Sequence, residues 1–197
     1  MANVARVNGF SPVGSILGAP FTGRVSKYVA TDTAAMYVGD VVKLDGTTGS
    51  GKNAGYRGVT AIAATTDVPC GVVVGFEPLP SNLNLPQSYK EANATDRVVF
   101  VADDPNTLFE ANINGSVAAA DVGLNISVDV DTAGSATTGQ SGMELDGGTE
   151  ATTATLIARL VGFVDSPDND LTSANPRGVI KFIRHAYLVD TSASAGV

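Results

Sequence analysis

The chain has 197 residues, a net charge of −8 and a sequence pI near 4.4, which fits one domain, or one domain with an arm, and disfavours direct contact with nucleic-acid phosphates. Apolar residues make up 44% but aromatics only 6%, with no Trp, so the expected core is thin β packing of Val, Ala, Leu and Ile, not an aromatic-lined ligand pocket. The single cysteine, Cys70, excludes an internal disulfide, and no run of about 18 apolar residues predicts a membrane-spanning helix. The first residues, MANVARVNGFSPVGS, lack the apolar centre of a signal peptide. Charged residues are 16% of the chain, below the usual ~25% of a soluble domain. With abundant Ala, Thr and Gly, this suggests that other subunits cover part of the surface.

Residues 1–24 are broken by Gly9, Pro12, Gly14, Gly18, Pro20 and Gly23, yet carry Val4, Val7, Phe10, Val13, Ile16, Leu17 and Phe21. Glycine and proline at this spacing block a helix, and the apolar content makes a poor free linker. The segment is expected to lie extended along a surface, its own or a neighbour's, as an N-terminal arm. It is locally basic, since Arg6, Arg24 and Lys27 precede the first acid, Asp32.

A first β unit is predicted from Gly23 to Leu44, with Gly39-Asp40 as a break or bulge, followed by a Gly-rich loop over residues 45–58. Val72 to Phe76 reads as a short buried strand ended by Pro78 and Pro80, and residues 81–95 as irregular. In RVVFVADDPNTLFEAN, Asp103-Asp104-Pro105-Asn106 predicts a tight polar turn between two strands, because proline pre-sets φ and Asp and Asn close turns through their side chains. Gly115 to Val122 is read as a short helix or a loop, and Asn125 to Val130 as an alternating strand. Residues 131–154, with few apolar anchors, are read as a loop that is mobile or ordered by a partner. Thr155 to Val164 is a strand with Gly162 as a bulge, and Gly178 to Val189 the last long strand. No internal repeat of 20–50 residues stands out. The expectation is an all-β chain: a compact β-barrel or β-sandwich (jelly-roll or tulip-like) with little helix. Its parts are the arm 1–24, a single β domain over 25–190 and a frayed tail over 191–197.

Candidate chemistry is weak throughout. Gly46 to Asn53 fits the phosphate-loop spacing, but Asn53 stands where the Mg²⁺-binding hydroxyl belongs and no helix start follows, so a surface loop is expected. Asp129, Asp131 and Gly134 resemble the start of a calcium loop, but Gln140 replaces its bidentate Glu. His185, the only histidine, is placed in the last strand as a structural residue, and Cys70 as a small core residue. The acid pairs Asp103/Asp104 and Asp168/Asp170 are read as turn caps and not as a glycosidase pair. No catalytic, cofactor or metal site is expected.

MANV and GFSPV at the start, LGAPFTGRV, GDVVKLDG, GVVVGFEP, RVVFVADDPNTLFE and LVGFVDSPDNDL, in this order, together resemble the capsid decoration (structural cement) proteins of tailed bacteriophages. The resemblance runs over nearly the whole chain. It implies a non-enzymatic virion protein, made in the host bacterial cytoplasm, that binds the outside of an HK97-fold major capsid protein shell. On that basis residues 1–24 are expected to bridge to capsid subunits or to a neighbouring copy. Phe10, Ile16, Leu17 and Phe21 would be the apolar anchors, and Arg6 and Arg24 the polar ones. Deleting residues 2–20 would then abolish binding and leave the β domain folded. A homo-oligomer is expected, with a trimer preferred over a dimer. Two other classes stay open: another β-rich phage component (neck, tail or head-fibre base), or a carbohydrate-binding β module.

Overall fold

The computed structural model describes residues 3–5, 8–18, 23–94 and 96–188. The chain is all-β, with thirteen strands and two single-turn 3₁₀ segments, Gly51–Asn53 and Ala119–Asp121, among the described residues. β1 is Ser11–Ser15, β2 Val25–Ala30, β3 Met36–Tyr37, β4 Val41–Thr48, β5 Arg57–Ala61, β6 Gly71–Phe76 and β7 Tyr89–Lys90. β8 is Arg97–Ala102, β9 Thr107–Asn114, β10 Asn125–Asp129, β11 Glu144–Ala151, β12 Ala158–Phe163 and β13 Arg177–Phe182.

The strands form two rings. The first is a closed barrel in the order β2-β5-β4-β6-β8. The second runs β9-β11-β10-β12-β13, and a further β9–β13 pairing joins its ends, with β1 added to β9. The two rings have the same plan. In each, the first and third strands pair in parallel (β2 with β5, β9 with β11) and every other pairing is antiparallel. The fourth strand of each ring ends in Val-Gly-Phe (Val74-Gly75-Phe76 and Val161-Gly162-Phe163), with a register shift just before or at the glycine. Within the β domain expected over 25–190, the strands thus form two topologically equivalent barrels.

Alternation with period 2 builds both interiors. In β8, Val99 and Val101 are fully buried in barrel one, while Phe100 turns outward, 5.6 Å from the Lys27 ammonium. In β12, Ala158 and Leu160 are buried while Val161 is exposed. One apolar cluster continues from barrel two into barrel one through Val41, Ile62, Val72 and Ala102. The second cluster, with Tyr28, Cys70, Val73 and Phe76, fills barrel one.

The turn at Asp103 to Asn106 forms as expected: Asp104 accepts the Asn106 N–H at 2.8 Å. β8 and β9 do not pair with one another, however, so this turn joins the two barrels. The loop predicted over 45–58 is shorter, because β4 extends to Thr48 and β5 begins at Arg57. The loop predicted over 131–154 contains β11, eight residues with only Leu145 as a core aliphatic side chain. Its pairing depends on Gly147, where a Cβ would stand 2.3 Å from the Asn114 carbonyl oxygen. His185 lies beyond the last strand, in a strap over residues 183–188 that returns to barrel one, where the Ala186 N–H donates to the Pro69 carbonyl at 2.8 Å. The predicted tail lies outside the described residues.

Candidate functional site

The structure divides the six expected contact residues. Arg6 and Phe21 lie outside the described residues. Phe10 is 1% exposed and belongs to the protein's own core, its ring 6.2 Å from that of Phe182. It is therefore not an anchor for a partner. Its backbone N–H donates to Gly39 at 3.0 Å, and Gly39, at φ +93, leaves only 2.8 Å between a would-be Cβ and the Asn8 carbonyl. β1 pairs with β9, so residues 8–18 lie along the protein's own surface. The segment is further pinned at Asn3, whose amide donates to the Asp170 and Ala174 carbonyls at 2.8 and 3.1 Å.

Ile16 and Leu17 do face solvent, in a turn that follows β1, with Leu17 77% exposed. With Val4 and Val13 they make four of the twelve large apolar side chains exposed among the described residues. That is far more than the share of the chain they occupy, so the N-terminal segment is the most apolar exposed stretch.

Arg24 is exposed but committed. Its guanidinium donates to both oxygens of buried Asp103, at 2.8 and 3.0 Å, and stacks 5.2 Å from the centre of the Tyr187 ring. Asp103 also accepts from the Tyr28 hydroxyl at 2.7 Å, and that hydroxyl meets the Tyr187 hydroxyl at 2.7 Å. The chain leading into β2, the turn between barrels and the C-terminal strap thus meet at one carboxylate. Cys70 lies below, fully buried, and burial pushes its thiol up to about 11. Because Cys70 is the only thiol, it reports strap opening. The double variant Arg24→Ala, Tyr187→Phe is expected to raise its rate of labelling by a disulfide reagent at least tenfold, since it removes hydrogen bonds to a charge worth about 1.5–3 kcal/mol and a neutral one worth about 0.5–1.5 kcal/mol. An unchanged rate would show that the knot does not hold the strap.

Two buried ionisable groups were not legible in the sequence as such. Asp40 accepts from the Tyr37 N–H at 2.7 Å and interacts with the Ser141 hydroxyl, and burial pushes its carboxyl up to about 6. His185 takes the Tyr187 N–H on Nδ1 at 3.1 Å, and burial holds its imidazole down at about 4, against the pull of Asp103. Their effects on stability oppose each other. The folded state holds the Asp40 proton more tightly than the unfolded chain does, so its contribution is full below about pH 4 and is lost as pH rises through 6. The unfolded chain holds the His185 proton more tightly, so that contribution is full above about pH 6.5 and is lost as pH falls through 4. Wild-type stability is expected to vary little between these limits. Asp40→Asn should add about 2 kcal/mol at pH 7 and leave stability climbing with pH. His185→Gln should leave it falling. Urea denaturation at pH 4.5 and 7 reads both, and parallel profiles for all three proteins would refute the assignment.

Where they are described, the motifs considered for chemistry make the following contacts. Asp129 accepts the Asp131 N–H at 2.9 Å and the Asn114 amide at 3.0 Å. Among the described residues no group of three His, Cys, Asp or Glu side chains is arranged to hold a metal ion. The phosphate-loop-like stretch ends in the 3₁₀ turn Gly51–Asn53, and Asn53 donates to the Asp96 carbonyl at 2.7 Å. Asp168 takes Arg177 at 2.8 Å, and Asp170 caps Thr172 at 2.9 Å. A shallow groove of about 290 Å³ lies beside β2, lined by Lys27, Lys52, Asn53, Tyr56, Glu77, Pro78 and Pro80.

Compared with protein-family models, with curated proteins and with solved structures, the chain matches none.

Proposed function

We propose that the protein is a non-enzymatic virion component that decorates the outer surface of a phage capsid, bound to the major capsid protein and bridging neighbouring subunits. The observation that carries this reading is the N-terminal segment, which presents Val4, Val13, Ile16 and Leu17 to solvent from a rigid β scaffold. The ordered series of motifs that resembles capsid cement proteins supports it. Each contact can be modest, because an oligomer engaging several shell subunits gains effective concentration. A homotrimer fits this role best, with a homodimer as its rival. The anchors are Ile16 and Leu17, with the surface around Arg24 beside them.

The truncation of residues 2–20 would remove β1 and Phe10 from the fold, so point variants give the cleaner experiment. Ile16→Asp with Leu17→Asp is expected to weaken binding to purified shells at least tenfold and to leave the unfolding midpoint within about 0.5 kcal/mol of wild type. A buried Leu contributes roughly 1.5–3 kcal/mol, whereas exposed positions contribute little to folding. Cryo-electron microscopy of shells with and without the protein gives the second readout. Density at regular positions over the whole shell is the expected result. Density only at the portal vertex would move the protein to a neck or tail role, and wild-type binding by the double variant would remove these residues from the interface.

A further inference from the structure

Barrel two carries its charges in two unmatched sets. Residues 103–188 hold four basic side chains against twelve acidic ones. Arg177 is committed to Glu110 and Asp168, at 3.0 and 2.8 Å, and Arg184 donates to the Thr66 and Thr155 carbonyls, at 2.9 and 3.1 Å. The other two, Arg159 and Lys181, are direct cross-strand neighbours in β12 and β13. Both point outward, since Ala158, Leu160, Ile180 and Phe182 fill the interior. Arg159 donates to the Asn125 side-chain oxygen at 3.1 Å, and neither cation forms an ion pair among the described residues. Like charges directly opposite one another weaken a sheet, so this pair has a cost that no carboxylate of the same wall offsets. Val161 follows Arg159 on the same outer face, 39% exposed. Val122, 43% exposed, belongs to the stretch beside it, where the Gly123 N–H donates to the Leu160 carbonyl at 2.8 Å.

The second set is acidic. Asp129 ends β10, Asp131 follows it, and Asp146 and Glu150 lie in β11. None of the four forms an ion pair among the described residues. Their closeness shows in Asp146, whose carboxyl is pushed up from its ordinary value by burial and then by the charges of Asp129, Glu150 and Asp131. In the ring β9-β11-β10-β12-β13, β11 is the strand across from the seam between β12 and β13. The cations and the acids thus stand on opposite walls of one barrel and do not meet within one copy.

We propose that barrel two associates head to tail with a second copy of this chain, the Arg159, Lys181 and Val161 face of one copy docking on the Asp129, Asp146 and Glu150 wall of the next. A contact between two different faces of the same chain is heterologous, and repeated around an axis it closes a ring. The net charge of −8 does not prevent this. At physiological ionic strength charges more than about 8 Å apart are largely screened, so the groups that face each other decide. Opposite charge sets the register and rejects the two like-with-like pairings. Val161 and Val122 add apolar surface that leaves water on contact. The contact gives the homo-oligomer of the decoration reading its surfaces, but it rests on this chain alone.

Sedimentation velocity at about 0.15 M salt, with protein up to about 0.5 mM, reads the association. The wild type is expected to self-associate. Arg159→Glu with Lys181→Glu, and separately Asp146→Lys with Glu150→Lys, are each expected to weaken association about tenfold or more. An equimolar mixture of the two double variants is expected to associate again, because each brings the face that complements the other. Urea midpoints close to wild type show that the changes do not act through the fold, and Lys181→Glu alone replaces the first variant if its midpoint falls. A monomeric wild type, variants that associate as the wild type does, or a mixture that stays monomeric would overturn the proposal. Purified shells separate it from the decoration reading. Self-association without shell binding keeps this contact and removes the shell, and shell binding by a monomeric wild type does the reverse.

Discussion

Replacing Lys90 with methionine is expected to cost about 4 kcal/mol or more of folding stability. Lys90 is fully buried, and its ammonium shares its three N–H groups among four backbone carbonyls: Ala34 at 2.5 Å, Ala94 at 2.8 Å, Asp32 at 2.9 Å and, more weakly, Glu91 at 3.3 Å. No carboxylate among the described residues forms an ion pair with it, and burial pulls its pKa down, partly offset by the charge of Asp32. Methionine keeps the length of the side chain and removes all the donors. Asp32 and Ala94 are half-buried while Ala34 and Glu91 are exposed, so the loss comes mainly from the carbonyls that water does not reach, at roughly 1–3 kcal/mol each, and from the ammonium's bonds to the rest. A loss of this size is a large part of the 5–15 kcal/mol that holds a typical domain together. Arg97 does the same work next door, donating to the carbonyls of Tyr89 at 3.2 Å and of Pro86. The excursion over residues 78–96 is thus organised by two buried cations more than by apolar packing. Urea denaturation gives the total. Hydrogen exchange should show the damage first at residues 31–35 and 91–94. A loss below about 1 kcal/mol would mean that the carbonyls find other donors.

Phe10→Ala is expected to cost about 3–5 kcal/mol, the usual range for a buried aromatic ring cut back to a methyl group. Its ring meets Phe182, which in turn lies 5.2 Å from Phe109, so the cavity opens between the N-terminal segment and the wall of barrel two. Leu17→Ala, seven residues on and 77% exposed, should change stability by less than about 0.5 kcal/mol. The contrast tests whether the N-terminal segment is two things at once, a structural strap up to β1 and a free surface after it. Equal effects at the two positions, in either direction, would contradict that division.

The β character was legible because NISVDV and GVIKFIRH alternate with period 2, and RVVFVA and TLIARLVGFV are short runs rich in β-branched and aromatic residues. The Gly39-Asp40 break and the turn at Asp103 to Asn106 were legible from glycine and turn chemistry. β11 was hidden, because Glu-Leu-Asp-Gly-Gly-Thr-Glu-Ala carries one core aliphatic and is held by backbone fit against Asn114. The pairing of the barrels was hidden for another reason. Its period is longer than the 20–50 residues of common structural repeats, and few marks are shared, among them the Val-Gly-Phe at the end of the fourth strand and the Arg at the start of the last one. Phe10 shows the limit of apolar pattern alone. An apolar residue in a Gly- and Pro-broken stretch reads equally as an outward anchor or an inward one, and the choice depends on Phe182, more than 170 residues away.

Two barrels with one plan in one chain create a hazard during synthesis. β6 and β12 could each complete either ring, since the pairing senses are identical. Tandem modules of like sequence are prone to exchange strands as they emerge from the ribosome. Here the halves differ in charge, loop length and side-chain volume, so a strand placed in the wrong ring would carry unmatched residues inward. Differences of this kind insulate one half from the other. Making the two barrels identical in sequence would make the protein harder to fold, even if each barrel became better packed.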